Sequence, residues 1–380
     1  MGQREKSAYR EAIRPRYATA SRAEKKRILD EFCAVCGYNR KYAIRLLGRR
    51  RSRHKAKRGR KTQYADPALL AALEAIWDAS DFMCSRRLKA IIPAWLPFYE
   101  QRTQPLTDDV RTRLLSISRA TLDRVLKPMR AKSPKGLCGT KPGSMLRTQI
   151  PIRTDNWDIN RPGFMEADTV AHCGTSLAGD FVWSLIMTDI HTAWTEDRAV
   201  WNKGSTDVVE QVRDIERHLP FPLLGFDCDN GSEFLNHHLV RYFAERPASV
   251  SFTRSRPYKK NDNAHVEQKN WAHARQLLGY NRLNDPGVVP LINDLYAHEW
   301  SLYQNHLCPS LKLKTKTRIG SRYHKVYEEP KTPYQRLLES PHIPQATRQR
   351  LTAIHDSLNP FRLKEAIEHK LRAIFRLPRL

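Results

Sequence analysis

The feature that most constrains this chain is a basic run that no core can accommodate. Nine of the thirteen residues from 49 to 61 are Lys or Arg. Such a run cannot pack against itself, so it reads as a flexible basic linker that divides the chain. Residues 1–62 carry 21 Lys and Arg against 5 Asp and Glu, which is +16 of the +26 borne by all 380 residues. An excess of this size points to a polyanionic partner. A solubilising arm is the alternative. The flanking sequence favours phosphate contact, because both sides look like small helical modules.

Composition excludes other classes. Hydrophobic residues make up 40% of the chain, and eight Trp, fourteen Tyr and twelve Phe are enough for real cores. No apolar run approaches the ~20 residues needed to cross a bilayer, so no membrane partner is expected. The first residues have charge but no apolar stretch of a secretory signal. Seven Cys, scattered and odd in number, argue for free thiols in a reducing, cytoplasmic compartment.

Five segments are expected: 1–62, a basic helix-turn-helix module with its linker; 63–130, a second helical module; 131–150, a linker rich in Gly, Pro and Lys; 151–285, an α/β core; and 286–380, helices and a basic extended tail. In the first, Ser21 and Glu24 form a capping box before a helix with Ile28, Phe32 and Val35 inward. Gly37 breaks it. A second helix over 40–47 turns Tyr42, Ala43, Leu46 and Leu47 inward and leaves Arg40, Lys41 and Arg45 to meet DNA. Cys33 and Cys36 lack two further zinc ligands nearby and read as apolar fillers. In the second module, Asp66-Pro67 starts a helix, a further helix covers 85–96, and Ser118 caps a short one. That one buries Leu122, Val125 and Leu126 and exposes Arg119, Thr121 and Arg124, a second helix-turn-helix pattern. A structural helical bundle is the alternative.

From about residue 163 the periodicity changes. Three strands (163–173, 180–192 and 195–200) precede a helix (205–219), a strand (222–234), a helix (236–245), a strand (249–257) and a helix (263–278). That is the element order of a ribonuclease-H-like domain. Asp168 falls mid-strand, where an unpaired charge is expensive. Asp229 ends an apolar strand, where open α/β sheets place ligand sites. Glu267 lies near the start of the last helix. Three converging carboxylates need neutralising cations. Two Mg²⁺ or Mn²⁺ ions suit an oxygen-only set and can serve both oxygens of a phosphoryl displacement. Asp227 and Glu166 alternate with Asp229 and Asp168 and compete for these roles. Asp189 reads as a turn cap. On the last helix Glu267, Asn270, Trp271 and Ala274 share a face. Arg254, Arg256, Lys259, Lys260 and Lys269 surround the site as phosphate contacts. His172, His191 and His265 read as structural, and His238-x-x-Arg241 as a chance recombinase-like fragment.

The strings MEADTVAHC, FDCDNGSEF and RSRPYKKNDNAHVEQKN resemble the catalytic core of bacterial insertion-sequence DDE transposases, whose distant relative is the retroviral integrase core. GYNRKYAIRLLGRR and PSLKLKTKTRIGSRYHKVYEEPKTPYQRLL look like the same family, so the resemblance covers roughly residues 20–340. It implies that Asp168, Asp229 and Glu267 are catalytic metal ligands. It also implies a nucleoid-associated enzyme that binds the terminal inverted repeats of a mobile element, cleaves 3′ ends and joins them to target DNA. One site per end implies at least a dimer on paired ends. A catalytically silent DNA-binding protein and a ribonuclease-H-like nuclease are the alternatives. Residues 345–380 read as two basic helices outside the family pattern.

Overall fold

The computed structural model describes residues 2–48, 63–132, 159–228, 234, 237–246, 249–254 and 269–376. The chain divides into two compact units, Met1–Thr62 and Gln63–Leu380.

The described residues of the first unit form three helices, α1 (Gln3–Thr19), α2 (Arg22–Cys36) and α3 (Arg40–Gly48). The capping box forms as expected. Ser21 Oγ accepts from Glu24 N at 3.4 Å, and Glu24 Oε2 accepts from Ser21 N at 2.8 Å. Gly37 ends α2 in the left-handed region at φ 65°, a conformation glycine adopts without penalty. Helix α1 is an addition to the sequence reading. Only Ile13 and Tyr17 of its 17 residues are buried, too sparse a stripe to show as periodicity. Ile28, Leu29, Phe32, Cys36, Ala43 and Leu47 join Ile13 and Tyr17. Val35 and Tyr42, expected inside, are 44% and 39% exposed. Cys36 is a buried filler in that cluster.

The second unit joins what the sequence separates. Of helices α4 (Pro67–Ala79), α5 (Ser85–Arg102), α6 (Asp108–Ser116) and α7 (Arg119–Lys132), α4, α5 and α7 begin where expected, with Asp66 capping α4, and α6 is an addition to the sequence reading. Helix α5 runs past residue 96, through Pro93 and Pro97, to Arg102. The cost of interior proline is offset by one buried face, Leu88, Ile91, Ile92, Trp95, Leu96 and Tyr99. That face does not close a domain of its own. The same apolar cluster takes in Trp300, Tyr303, Phe361, Ile367 and Ile374. Trp95 meets Tyr303 and Phe361 edge-on at 6.4 and 6.1 Å, and Tyr303 OH donates to Ala79 O at 2.8 Å.

The C-terminal region is therefore part of the core. The segment expected to be an extended tail is an antiparallel hairpin, β6 (Leu313–Ile319) and β7 (Arg322–Tyr327), turning at Gly320. The two basic helices form as Gln345–Ser357 and Pro360–Arg376. The second turns its charges to partners: Lys370 to Asp294 and Glu299, and Arg102 to Glu365.

A five-stranded sheet lies between these layers, in the order β3-β2-β1-β4-β5. β1 (Phe164–Ala171), β2 (Val182–Asp189) and β3 (Thr195–Trp201) are antiparallel. β4 (Gly225–Cys228) and β5 (Ser251–Arg254) run parallel to β1. Cross-strand partners share a face, and the two faces differ sharply. Met165, Ala167, Leu185, Met187, Val200, Phe226 and Cys228 bury one face under helices α8 (Ser205–His218) and α9 (His237–Ala244). The other face carries Glu166, Asp168, Thr188, Thr195, Asp197, Asp227 and Thr253.

Two predictions follow from this packing. Residues 1–62 alone should melt as a cooperative helical unit, whereas 63–130 alone, stripped of Trp300, Tyr303 and Phe361, should not. Circular dichroism melts of the two fragments test this, and a cooperative transition in 63–130 contradicts it. The second concerns acid. Burial lowers His172 and His306 to about 3, below the ordinary value of ~6.5. Between pH 6.5 and 3 the unfolded chain binds the extra protons, so stability falls as pH falls through that window. His306 stacks on Tyr334 at 4.9 Å, and a phenyl ring would keep that packing. His306→Phe should flatten the fall by about 1.4 kcal/mol per pH unit. Denaturant melts at pH 6.5 and 5 check it, and an unchanged slope contradicts it.

Candidate active site

The polar face of the sheet is built by register. β1 pairs with β4 so that Glu166 stands opposite Asp227 and Ala167 opposite Cys228. This pairing is close. A Cβ on Gly225 would lie 2.4 Å from Phe164 Cδ1, so only glycine fits there. Glu166 and Asp227 are 3% and 4% exposed, and Asp168 follows on the same face. Asp227 Oδ1 accepts from Thr253 Oγ1 at 2.6 Å. Three carboxylates on two neighbouring strands repel each other unless donors or cations compensate.

One compensating donor comes from far along the chain. Asn270 Nδ2 donates to Asp168 Oδ2 at 2.6 Å, and Thr169 N donates to Oδ1 at 2.7 Å. Asn270 opens a π-helical turn (Asn270–Arg275) that continues into Gln276–Leu278. That turn corrects the face expected from an ordinary helical repeat. Asn270 turns toward Asp168 and Ala274 is buried against Val170 and Ile186, but Trp271 is 56% exposed.

Behind the carboxylates is a network that sequence reasoning missed. His273 Nδ1 lies 2.9 Å from Asp197 Oδ2, and Lys269 Nζ lies 3.4 Å from His273 Nε2 and from Ala193 O. Burial lowers Lys269 to about 8 and pulls His273 down as well. On the opposite face Arg198 pairs with Glu196 at 3.6 Å and Asp214 at 2.6 Å. Buried, Glu196 is pushed up. The signal was present in Glu196-Asp197-Arg198, three consecutive charges in a strand with both faces covered, each of which needs a partner.

The other expected residues fall as follows. Asp189 is a turn cap, accepting from Gly163 N, Thr192 N and Thr192 Oγ1. His172 Nε2 lies 2.8 Å from Ser184 Oγ, and His191 Nδ1 3.2 Å from Ile159 O. Lys269 points inward rather than outward. Arg40 pairs with Asp30, Lys41 is exposed, and Arg45 covers the Tyr42 ring at 5.1 Å. Arg119 is exposed, as is Arg124, whose guanidinium donates to Ala120 O and Thr121 Oγ1 of its own helix. Arg254 ends β5; its side chain, and Asp229, Arg256, Lys259, Lys260, His265 and Glu267, lie outside the described residues. Among the described residues no cluster of three His, Cys, Asp or Glu is arranged to hold a metal.

Singly, the carboxylates of this face offer oxygen only, the donor chemistry a hard cation takes, and His172 and His273 on the same face are engaged by Ser184 and Asp197. The Asn270–Asp168 bond gives a direct test. Asn270→Asp sets a fourth carboxylate against Asp168 and should cost about 1–3 kcal/mol at pH 7 in chelator. Thermal melts should show part of that loss recovered on adding Mg²⁺. Melting at the wild-type temperature would remove the contact from the site.

No family model matches the chain. Solved structures similar to it include a chain of a simian T-cell lymphotropic virus intasome in complex with PP2A regulatory subunit B56 gamma, at 15% identity and TM-score 0.36, covering 65% of this chain and 75% of that one. The catalytic core domain of BIV integrase is 16% identical at TM-score 0.27, over 47% of this chain and 96% of that one. The HTLV-2 integrase catalytic core domain in complex with magnesium is 14% identical at TM-score 0.28, over 39% and 90%. In sequence, the uncharacterized protein y4rM of Sinorhizobium fredii is 43% identical over 330 residues, 86% of this chain and 93% of its own length. The chain belongs to the family of y4rM.

Proposed function

We propose that the protein is a DDE-type transposase: it binds the ends of a mobile DNA element and catalyses divalent-metal-dependent 3′-end cleavage and strand transfer. One observation carries this reading. Asp168 on β1 is hydrogen-bonded to Asn270, three residues beyond Glu267. The β1–β4 ladder ends at Cys228, the residue before Asp229. In sequence, Glu267 is thus three residues from the group that holds Asp168, and Asp229 one residue from the strand end paired with Ala167.

Asp168, Asp229 and Glu267 would hold Mg²⁺ or Mn²⁺, two ions per site. The ions supply activation of an attacking oxygen and stabilisation of a leaving one at phosphorus. Glu166 and Asp227 deepen the negative field on the same face. Asn270 and Thr169 N fix the Asp168 carboxylate, which limits the reorganisation needed at the moment of reaction. In cleavage, water would attack the phosphodiester at the element end, releasing its 3′-oxygen as the 3′-OH and leaving a 5′-phosphate on the flanking strand; in joining, that 3′-OH would attack a target phosphodiester and displace the 3′-oxygen of the target strand. Arg254, Arg256, Lys259 and Lys260 are placed by sequence to hold scissile and target phosphates.

The basic three-helix unit, with Arg40, Lys41 and Arg45 on α3, is proposed to grip the element's terminal inverted repeats. Arg119 and Arg124 on α7 would add contacts from the second unit. One active site per end makes at least a dimer on paired ends the working assembly.

Asp168→Asn, Asp229→Asn and Glu267→Gln should each reduce cleavage and joining to background while leaving end binding near wild type. Labelled end DNA with Mg²⁺ and purified protein, resolved for nicked and joined products, reads all three. Full activity from any one variant removes that residue from the site.

A further inference from the structure

The helical segment that carries Asn270 presents one large ring to solvent. Trp271 is 56% exposed, whereas Trp77, Trp95, Trp194 and Trp300 are each 4% exposed or less. Leaving an indole in water forgoes the burial that those four obtain. The exposure has a structural cause: the π turn directs Asn270 to Asp168 and swings the next residue outward. Such turns are frequent at functional sites. The surface continues beyond it. Arg275 lies over the Tyr280 ring at 5.1 Å, and Tyr280 is 39% exposed. Within ten residues the chain offers two partly open rings and a guanidinium, starting one residue from the group that holds Asp168.

Aromatic faces interleaved with cations suit single-stranded nucleic acid, since every base has a π-face and every linkage a charge. A base inside a duplex is covered on both sides by its neighbours and cannot offer its face unless it leaves the stack. We propose that Trp271 stacks on an unpaired nucleobase of the DNA strand held at Asp168, at a frayed or flipped end. Charge complementarity selects this occupant: Arg275, over the Tyr280 ring, follows Trp271 by four residues on a chain of net charge +26. The proposal rests on the reading of the protein as a DNA-processing enzyme and adds the conformation of DNA that it takes.

The test uses full-length protein and a fluorescein-labelled duplex with a short single-stranded 3′ tail bearing 2-aminopurine. Wild-type protein should bind the duplex and quench the 2-aminopurine. Trp271→Ala should still bind but lose the quenching, with its preference for tailed over blunt DNA reduced about 10-fold. Trp271→Phe should keep most of both. Because the ring is exposed, Trp271→Ala should melt near the wild-type temperature. Equal quenching by wild type and Trp271→Ala, or binding by wild type with no quenching, overturns the stacking proposal and leaves DNA processing standing. Failure of wild type to bind any DNA overturns both.

Discussion

The parallel pairing of β1 with β4 is the constraint on which the rest of the second unit depends. It sets Glu166 beside Asp227 on one face and Met165 beside Phe226 on the other. A sheet so divided cannot be covered by the same kind of helix on both sides. The apolar face takes α8 and α9, whose Val208, Val209, Val212, Ile215, Leu239 and Phe243 fill one cluster. The acidic face takes helices that bring polar partners: Asn270 donates to Asp168 and His273 meets Asp197, while Asn293 and Asn305 each donate to and accept from the backbone of Ala199 and Thr195. The site and the covering layer are thus solutions to one electrostatic problem, the burial of like charges at low dielectric.

That covering layer explains why the flanking segments are not separate. The helix that carries Asn293 (Val288–Leu295) and the π-helical turns over residues 296–307 have two sides. One supplies donors to the sheet. The other presents Tyr296, Trp300 and Tyr303 to the cluster shared with α4, α5 and the helix Pro360–Arg376. Removing the N-terminal helices of this unit would expose Trp300 and Tyr303. Loss of those rings would loosen the residues that hold the acidic face.

The sheet was legible in the sequence because its apolar and turn patterns are local. Four of the five strands lie within the expected segments, β3 runs one residue past its own, and α8 and α9 match to within a residue or two. The alternation of Glu166 with Asp168 and of Asp227 with Asp229 was equally readable, because strand periodicity is fixed at two. What escaped depends on partners distant in the chain. Helix α1 contributes two buried residues and shows no stripe. The C-terminal helices read as basic from their Lys and Arg content, and nothing local announces that Phe361 meets Trp95. The π turn at Asn270 inserts a residue into the helical repeat, so Trp271 could not be assigned outward from spacing. His273 looked like any other histidine until Asp197 appeared opposite it.

The central claim is that the acidic face gathers Asp168, Asp229 and Glu267 around divalent cations. The most direct measurement is a crystal structure with Mn²⁺ at the manganese absorption edge, where anomalous scattering marks the ion independently of the carboxylates. The account predicts anomalous peaks touching the Asp168 carboxylate, with Asp229 and Glu267 completing the ligands and Asn270 still hydrogen-bonded beside them. Peaks held by Glu166 and Asp227 without Asp168, or no peak on this face at saturating Mn²⁺, would contradict it.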